Sequence, residues 1–200
     1  MIDVDNITFD YQETPLIKNV SFSLPAGGLL HLRGANGTGK TTLIKLIAGL
    51  YQPANGEIRY LGKSIDKDLK MYQRSLCFIG HKSGINPYLS LKENCIFDIH
   101  YGAHKERINQ LASLFKLEHS LDIPCGLLSA GQQRKAGLIR LWMTDAALWL
   151  LDEPLVALDD VAINLVMAKI AEHQKKGGAV LLTSHQSLPL NNTDYEEYFL

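Results

Sequence analysis

Gly34, Ala35, Asn36, Gly37, Thr38, Gly39, Lys40 and Thr41 follow the pattern G-x-x-x-x-G-K-[ST]. The chemistry open to such a run is the holding of phosphate. Its glycines let the backbone curl, so that successive amide N–H groups aim at phosphate oxygens. A helix starting directly after it adds its positive N-terminal end. In that arrangement Lys40 reaches the β- and γ-phosphates, the Thr41 hydroxyl ligates Mg²⁺, and Thr42 joins the loop as a nucleotide contact. A second group lies far along the chain, where the apolar run Leu148-Trp149-Leu150-Leu151 ends in Asp152-Glu153. Carboxylates at the C-terminal tip of a buried strand stand beside a phosphate loop in an open α/β sheet. There Asp152 suits a bound Mg²⁺ and Glu153 suits an attacking water. Together these residues imply hydrolysis of a phosphate anhydride.

Positioning those groups is a task for strands and helices. Residues 28–33 read as an apolar strand, and a helix starts near Lys40 and runs through Leu43, Leu46 and Ile47 to Gly49. Residues 2–9 and 18–24 read as strands, the latter alternating at Val20, Phe22 and Leu24; 56–60 and 76–79 read as shorter ones. The runs 147–151 and 179–183 are wholly apolar, as in buried parallel strands. Between them a helix spans about 159–176, with Ala162, Val166 and Ile170 on one face and a stop at Gly177-Gly178. The tail, 194–200, suits an edge strand. Strands alternating with helices predict an α/β fold with a mostly parallel sheet covered on both faces. The segment 82–144 breaks that alternation, with loop signals at Ser83-Gly84 and Asn86-Pro87 and helical patterns over 105–117 and 130–143. It reads as an inserted helical subdomain, leaving 1–81 and 145–200 for the core and an N-terminal β subdomain.

Bulk properties narrow the field. A chain of 200 residues is ample for one domain. Its net charge of −1 argues against nucleic acid as a partner. It has no apolar run of about 18 residues, the length a membrane-crossing helix needs. The start, acidic and alternating, lacks the shape of a secretory signal, so a cytoplasmic location is expected. Cys77, Cys95 and Cys125 form no CxxC pair and are expected as reduced thiols.

Five further features occur in one order. Tyr11 precedes the loop, His81 follows it, and then come Leu128-Ser129-Ala130-Gly131-Gln132, Ala157-Leu158-Asp159 and Ser184-His185. With the phosphate loop and acidic pair they resemble, over essentially the whole chain, the ATP-binding cassette family. Ala130 stands where glycine is commoner. The resemblance implies a P-loop NTPase (RecA-like) core and a substrate, ATP, bound with Mg²⁺. It implies that Tyr11 stacks on adenine, that His81 takes the Q-loop place near the metal, and that Asp159 belongs to the D-loop. His185 contacts the γ-phosphate and helps to fix the water. Ser129, Gly131 and Gln132 open a helix whose N-terminus meets the γ-phosphate held by another protomer, in agreement with the general affinity of helix N-termini for anions. The working unit is then a head-to-tail homodimer with two shared sites.

The family's usual Q-loop residue is glutamine, thirteen places before the residue matched by Asn94, and 94 − 13 gives His81. Glutamine and neutral histidine both accept from a metal-bound water. The stretches Ile79-Gly80-His81-Lys82-Ser83-Gly84-Ile85, Leu128–Ala136, Arg140–Trp142 and Ala147–Pro154 are similar to the heme-exporter ATP-binding subunits of bacterial cytochrome c maturation. That resemblance implies integral membrane partners, docking over roughly 81–100, a place on the cytoplasmic face of the inner membrane, and hydrolysis coupled to release of a heme-loaded chaperone. The competing readings are a motor for another importer or exporter, and a soluble cassette protein acting on nucleic acid or ribosomes.

Overall fold

A computed structural model describes residues 1–11, 14–97, 107–185, 187–189 and 195–200. The chain divides into two compact units: Met1–Phe78 with Ala146–Glu153 and Glu172–Leu200, and Ile79–Asp145 with Pro154–Ala171.

The first unit holds two sheets. One runs in the order β2-β1-β4-β5, from Thr14–Leu24, Ile2–Tyr11, Asn55–Tyr60 and Lys63–Ser64. Its strands pair antiparallel. β2 begins four residues before the alternation that signals it (18 − 14), because Pro15 is tolerated on an edge strand. The other sheet has the order β6-β7-β8-β3-β9, from Leu76–Ile79, Leu148–Leu151, Ala179–Thr183, Leu29–Arg33 and Glu196–Phe199. The pairings of β7 with β8, β8 with β3, and β3 with β9 are parallel. Strands β7 and β8 lie inside this sheet, which is why every residue of both is buried and why both read as unbroken apolar runs. The tail forms the edge strand β9, with Asp194 outside the described residues.

Helix α1 (Lys40–Ile47) follows β3. Its Leu43, Ile44, Leu46 and Ile47 share one apolar core with Ile2, Val4 and Ile58 of the antiparallel sheet and with Leu30, Leu150 and Leu181 of the parallel one. Burial of each such side chain is worth about 1.5–3 kcal/mol, so the helix that carries Lys40 and Thr41 is fixed from both sides. α2 (Leu69–Arg74) is too short to show a helical period in the sequence; Asp68 caps it, its carboxylate accepting from Met71 N at 3.1 Å.

The second unit is helical: α3 (Leu91–Phe97), α4 (Ile108–Leu114), α5 (Ala130–Leu138), α6 (Arg140–Met143) and most of α7 (Asp160–Lys175). Leu91, Cys95, Leu111, Phe115, Leu128, Ile139 and Met143 form its core, where Phe115 meets Trp142 edge-on at 5.0 Å. The pattern over 105–117 is realised as α4; residues 105 and 106 lie outside the described ones. The pattern over 130–143 is realised as α5 and α6, divided at Ile139. α3 has a start signal in the sequence, Ser90-x-x-Glu93. Glu93 N donates to Ser90 Oγ at 3.2 Å and Ser90 N donates to Glu93 Oε2 at 2.8 Å, a reciprocal cap. Cys77, Cys95 and Cys125 are all buried and in no disulfide. Among the described residues no helix is long and apolar enough to cross a membrane.

Candidate active site

Three adjacent parallel strands, β7, β8 and β3, bring their C-terminal ends to one edge of the sheet, where ligands sit in open α/β folds. Each delivers one part of the site: β3 leads into 34–39, β7 into Asp152-Glu153, and β8 into Ser184-His185.

Gly34 and Gly39 show why the loop needs glycine. Gly34 has φ 150°, and a Cβ there would lie 2.8 Å from both the Leu200 carbonyl oxygen and Thr38 Oγ1. Gly39 has φ 102° and caps α1 without a side chain, leaving the helix N-terminus open to an anion. Lys40 is buried and folds back over the loop. Its Nζ donates to the carbonyls of Gly34 at 2.7 Å and Ala35 at 2.9 Å, so the ammonium is held at the loop mouth. Thr38 Oγ1 donates to Ala35 O at 3.1 Å and tightens the turn.

Asp152, only 2% exposed, accepts from two hydroxyls at 2.9 Å: Thr41 Oγ1 on Oδ2 and Thr183 Oγ1 on Oδ1. The Thr183 oxygen also accepts from Glu153 N at 2.8 Å, so one hydroxyl ties both acidic residues to the tip of β8. Glu153 is 7% exposed and has φ 53°, a left-handed backbone rare for a residue with a side chain. Such strain costs about 1–3 kcal/mol and persists where the surroundings over-determine it, as functional sites do. It turns the carboxylate towards His185, whose N donates to Glu153 Oε2 at 3.3 Å and whose Nε2 lies 3.4 Å from Oε1. The His185 ring is about half exposed.

The pairing of a hydroxyl with a carboxylate, Thr41 with Asp152, is a hard-oxygen donor set that fits Mg²⁺. That ion is commonly held by one or two carboxylates plus substrate phosphates rather than by a protein cage. Among the described residues no three or more His, Cys, Asp and Glu side chains cluster as a metal cage.

Tyr11, at the end of β1, presents a ring that is 60% exposed. The second unit carries the remaining candidates. Ser129 caps α5: Gln132 N donates to Ser129 Oγ at 3.2 Å, and Ser129 N donates to Gln132 Oε1 at 2.9 Å. Gln132, a candidate nucleotide contact in the sequence, thus has its side chain engaged in the cap. Gly131 packs where a Cβ would lie 2.8 Å from the carbonyl oxygen of Ala157, itself left-handed at φ 62°. Asp159 caps α7, accepting from Ala162 N at 2.8 Å. The Lys135 ammonium, hydrogen-bonded to it, together with that cap holds its carboxyl below the usual range. His81 is exposed and borders a cavity of about 620 Å³ that Arg134 and Val156 also line. The buried Arg134 donates to the carbonyls of Gly80 at 2.8 Å, His81 at 3.3 Å and Pro154 at 3.3 Å.

Residues 17–156 match the family described as ABC transporter. The chain belongs to the ABC transporter family. It is an ATPase of that family, and its fold agrees. A solved ATP-binding subunit of an ABC transporter superposes with TM-score 0.82 at 26% identity, covering 92% of this chain and 79% of that one. A dimeric ATP-binding cassette in a post-hydrolysis state, bound to ADP and Pi, shares the fold at TM-score 0.81, with 22% identity over 93% of this chain and 88% of that one. Among sequence relatives, a cytochrome c biogenesis ATP-binding export protein, CcmA, of Legionella pneumophila (strain Paris) is 62% identical over 200 residues, all of both chains. The protein of that name from Vibrio cholerae is 39% identical over 197 residues, 96% of this chain and 94% of its own.

In this ABC transporter ATPase the structure thus brings Lys40, Thr41, Asp152, Glu153 and His185 together in one unit. His81, Ser129, Gly131, Gln132 and Asp159 belong to the other. Thr183, which links Asp152 to Glu153, belongs to none of the sequence motifs. The available signal was a hydroxyl ending an otherwise apolar strand at the ligand-binding edge.

Proposed function

We propose that this chain is the ATP-hydrolysing subunit of a membrane complex for cytochrome c biogenesis, coupling ATP turnover to heme export or to release of a heme-loaded chaperone. The observation that carries the reading is the likeness, end to end and at 62% identity, to a cytochrome c biogenesis ATP-binding export protein.

The site supports hydrolysis by in-line attack of water on the γ-phosphorus, as the bond to the β-phosphate oxygen breaks and its electron pair leaves with ADP. Phosphoryl transfer asks a protein for positioning and charge stabilisation more than covalent chemistry. The 34–39 amides and Lys40 hold the phosphates. Thr41 and Asp152 would hold Mg²⁺, and His81 would contribute as the Q-loop residue. When bound, the ion neutralises charge on the β- and γ-phosphates. Glu153 orients and polarises the water, and His185 keeps Glu153 and the γ-phosphate in register. Tyr11 stacks on adenine.

The working unit is a head-to-tail homodimer. In it the phosphate loop of one protomer faces Ser129, Gly131 and Gln132 of the other, and Asp159 lies at the shared site. A helical subdomain of about 82–144 lies inserted in a core made of 1–81 and 145–200. Integral membrane subunits dock over roughly 81–100, of which 98–100 lie outside the described residues, and hold the dimer on the cytoplasmic face of the inner membrane. The test is deletion of the gene followed by staining for covalent c-type cytochromes, with pull-down of the tagged chain from solubilised membranes. Loss of the cytochromes and recovery of heme-handling membrane subunits is the expected result. Normal cytochromes after deletion would sink the proposal.

A further inference from the structure

One of the groups that hold the Glu153 carboxylate is a peptide group. The N–H of His185 donates to its Oε2 at 3.3 Å, and the carbonyl of that same peptide belongs to Ser184. On the far side, the Ser184 carbonyl oxygen lies 3.2 Å from Nε2 of His31. A carbonyl only accepts, so His31 donates through Nε2–H, which fixes the tautomer of its neutral ring. Hydrogen bonds in such a chain polarise one another: a donor on the carbonyl sharpens the N–H on the other end of the peptide.

His31 sits in β3, three residues before Gly34, paired in register with Leu182 of β8 and Glu197 of β9. Its side chain is wholly buried. A histidine in the middle of the apolar run Leu29–Leu32 costs stability unless its polar atoms do something. The charged groups facing it are Arg33, Glu197 and Glu153, and the Tyr195 ring stands 6.0 Å away. Nδ1 lies 3.7 Å from Glu197 Oε1, and Arg33 Nη1 holds the same carboxylate at 3.0 and 3.3 Å. Burial pushes the ring below the ordinary histidine range, partly offset by the bond to Ser184, so the neutral donor form is the one in place at pH 7.

We propose that His31 is a positioning residue for ATP hydrolysis: by clamping the Ser184–His185 peptide from behind, it sets the direction of the Glu153 carboxylate. The inference rests on the role given to Glu153. Its distinguishing consequence is an effect on turnover and not on ATP binding, because among the described residues the polar partners of the His31 side chain, Ser184 and Glu197, lie outside the phosphate loop.

The full chain, copurified with its membrane partners, is assayed for kcat and for KM of ATP as His31→Leu, His31→Gln, His31→Asn and Glu153→Gln. Glutamine places an N–H where Nε2 stood; asparagine, one carbon shorter, falls short of the Ser184 carbonyl; leucine has no donor. An oriented hydrogen bond of ordinary strength corresponds to about tenfold in rate. His31→Leu and His31→Asn are expected to lose about that factor in kcat with KM within about twofold, and His31→Gln to recover most of it. Should leucine fail to fold, the glutamine–asparagine pair carries the comparison alone. Wild-type kcat in His31→Asn, equal losses in glutamine and asparagine, or a rise in KM matching the fall in kcat would each overturn the proposal. If Glu153→Gln turns over ATP normally, the reading of Glu153 itself falls. If Glu153→Gln is inactive while the His31 variants are normal, only the positioning role falls.

Discussion

Thr183 joins both acidic residues of the site through one hydroxyl. Its hydroxyl donates to Asp152 and accepts from Glu153 N, at 2.9 and 2.8 Å. Thr183→Val keeps the shape and removes both bonds in a buried place. Stability is expected to fall by about 1–3 kcal/mol, read by chemical denaturation, with kcat reduced more than ATP affinity. An unchanged denaturation midpoint would show that the hydroxyl is dispensable. At this scale the phosphate loop and the acidic pair were readable because each is a short run whose types and spacing repeat the chemistry. Thr183 and His31 were not, because their partners lie 31 and 153 residues away (Thr183 to Asp152, His31 to Ser184). A lone hydroxyl or imidazole in an apolar strand says nothing about what faces it until the sheet order is known.

Among the elements, the caps decide where helices begin. Ser129 and Gln132 close a reciprocal box on α5, and Ser90 and Glu93 do the same for α3. The N–H and hydroxyl of Ser90 hold the Glu93 carboxyl below its usual range, so what this cap adds is present above the ordinary glutamate pKa and is lost as the pH falls through the lowered one. For α5, Ser129→Ala is expected to cost about 0.5–2 kcal/mol in denaturation, and to weaken ATP-dependent self-association as well. A variant with lower stability but intact self-association would separate the cap from the proposed phosphate contact. The buried strands β7 and β8 and the long helix α7 were legible from apolar runs and helical period. α2 and α3 went unread: they are short, so their periodicity is weak, and for α3 only the cap marks the start.

For the molecule as a whole, the order β6-β7-β8-β3-β9 is what turns scattered motifs into a site, and no stretch of sequence states it. Pairing of β3 with β8 joins residues about 150 apart, and it is this pairing that sets the phosphate loop beside His185. Alternation of strands and helices foretold the parallel sheet, but the neighbours within it come from packing. Turnover by the proposed dimer gives a test at this scale. Glu153→Gln is expected to hold Mg-ATP without cleaving it, to elute as a dimer with ATP, and to turn over at least about 100-fold more slowly. A monomer with ATP that hydrolyses at the normal rate would contradict both the base and the assembly.

The three buried cysteines have a practical consequence. Cys77 belongs to the first unit, and Cys95 and Cys125 to the second. Burial raises the Cys125 thiol above its ordinary range, which makes it less reactive still. A thiol reagent added to the folded chain therefore reacts only as fast as each region opens. The natural sequence carries its own labels for following, by mass spectrometry and peptide by peptide, how ATP stiffens either unit, with no residue replaced.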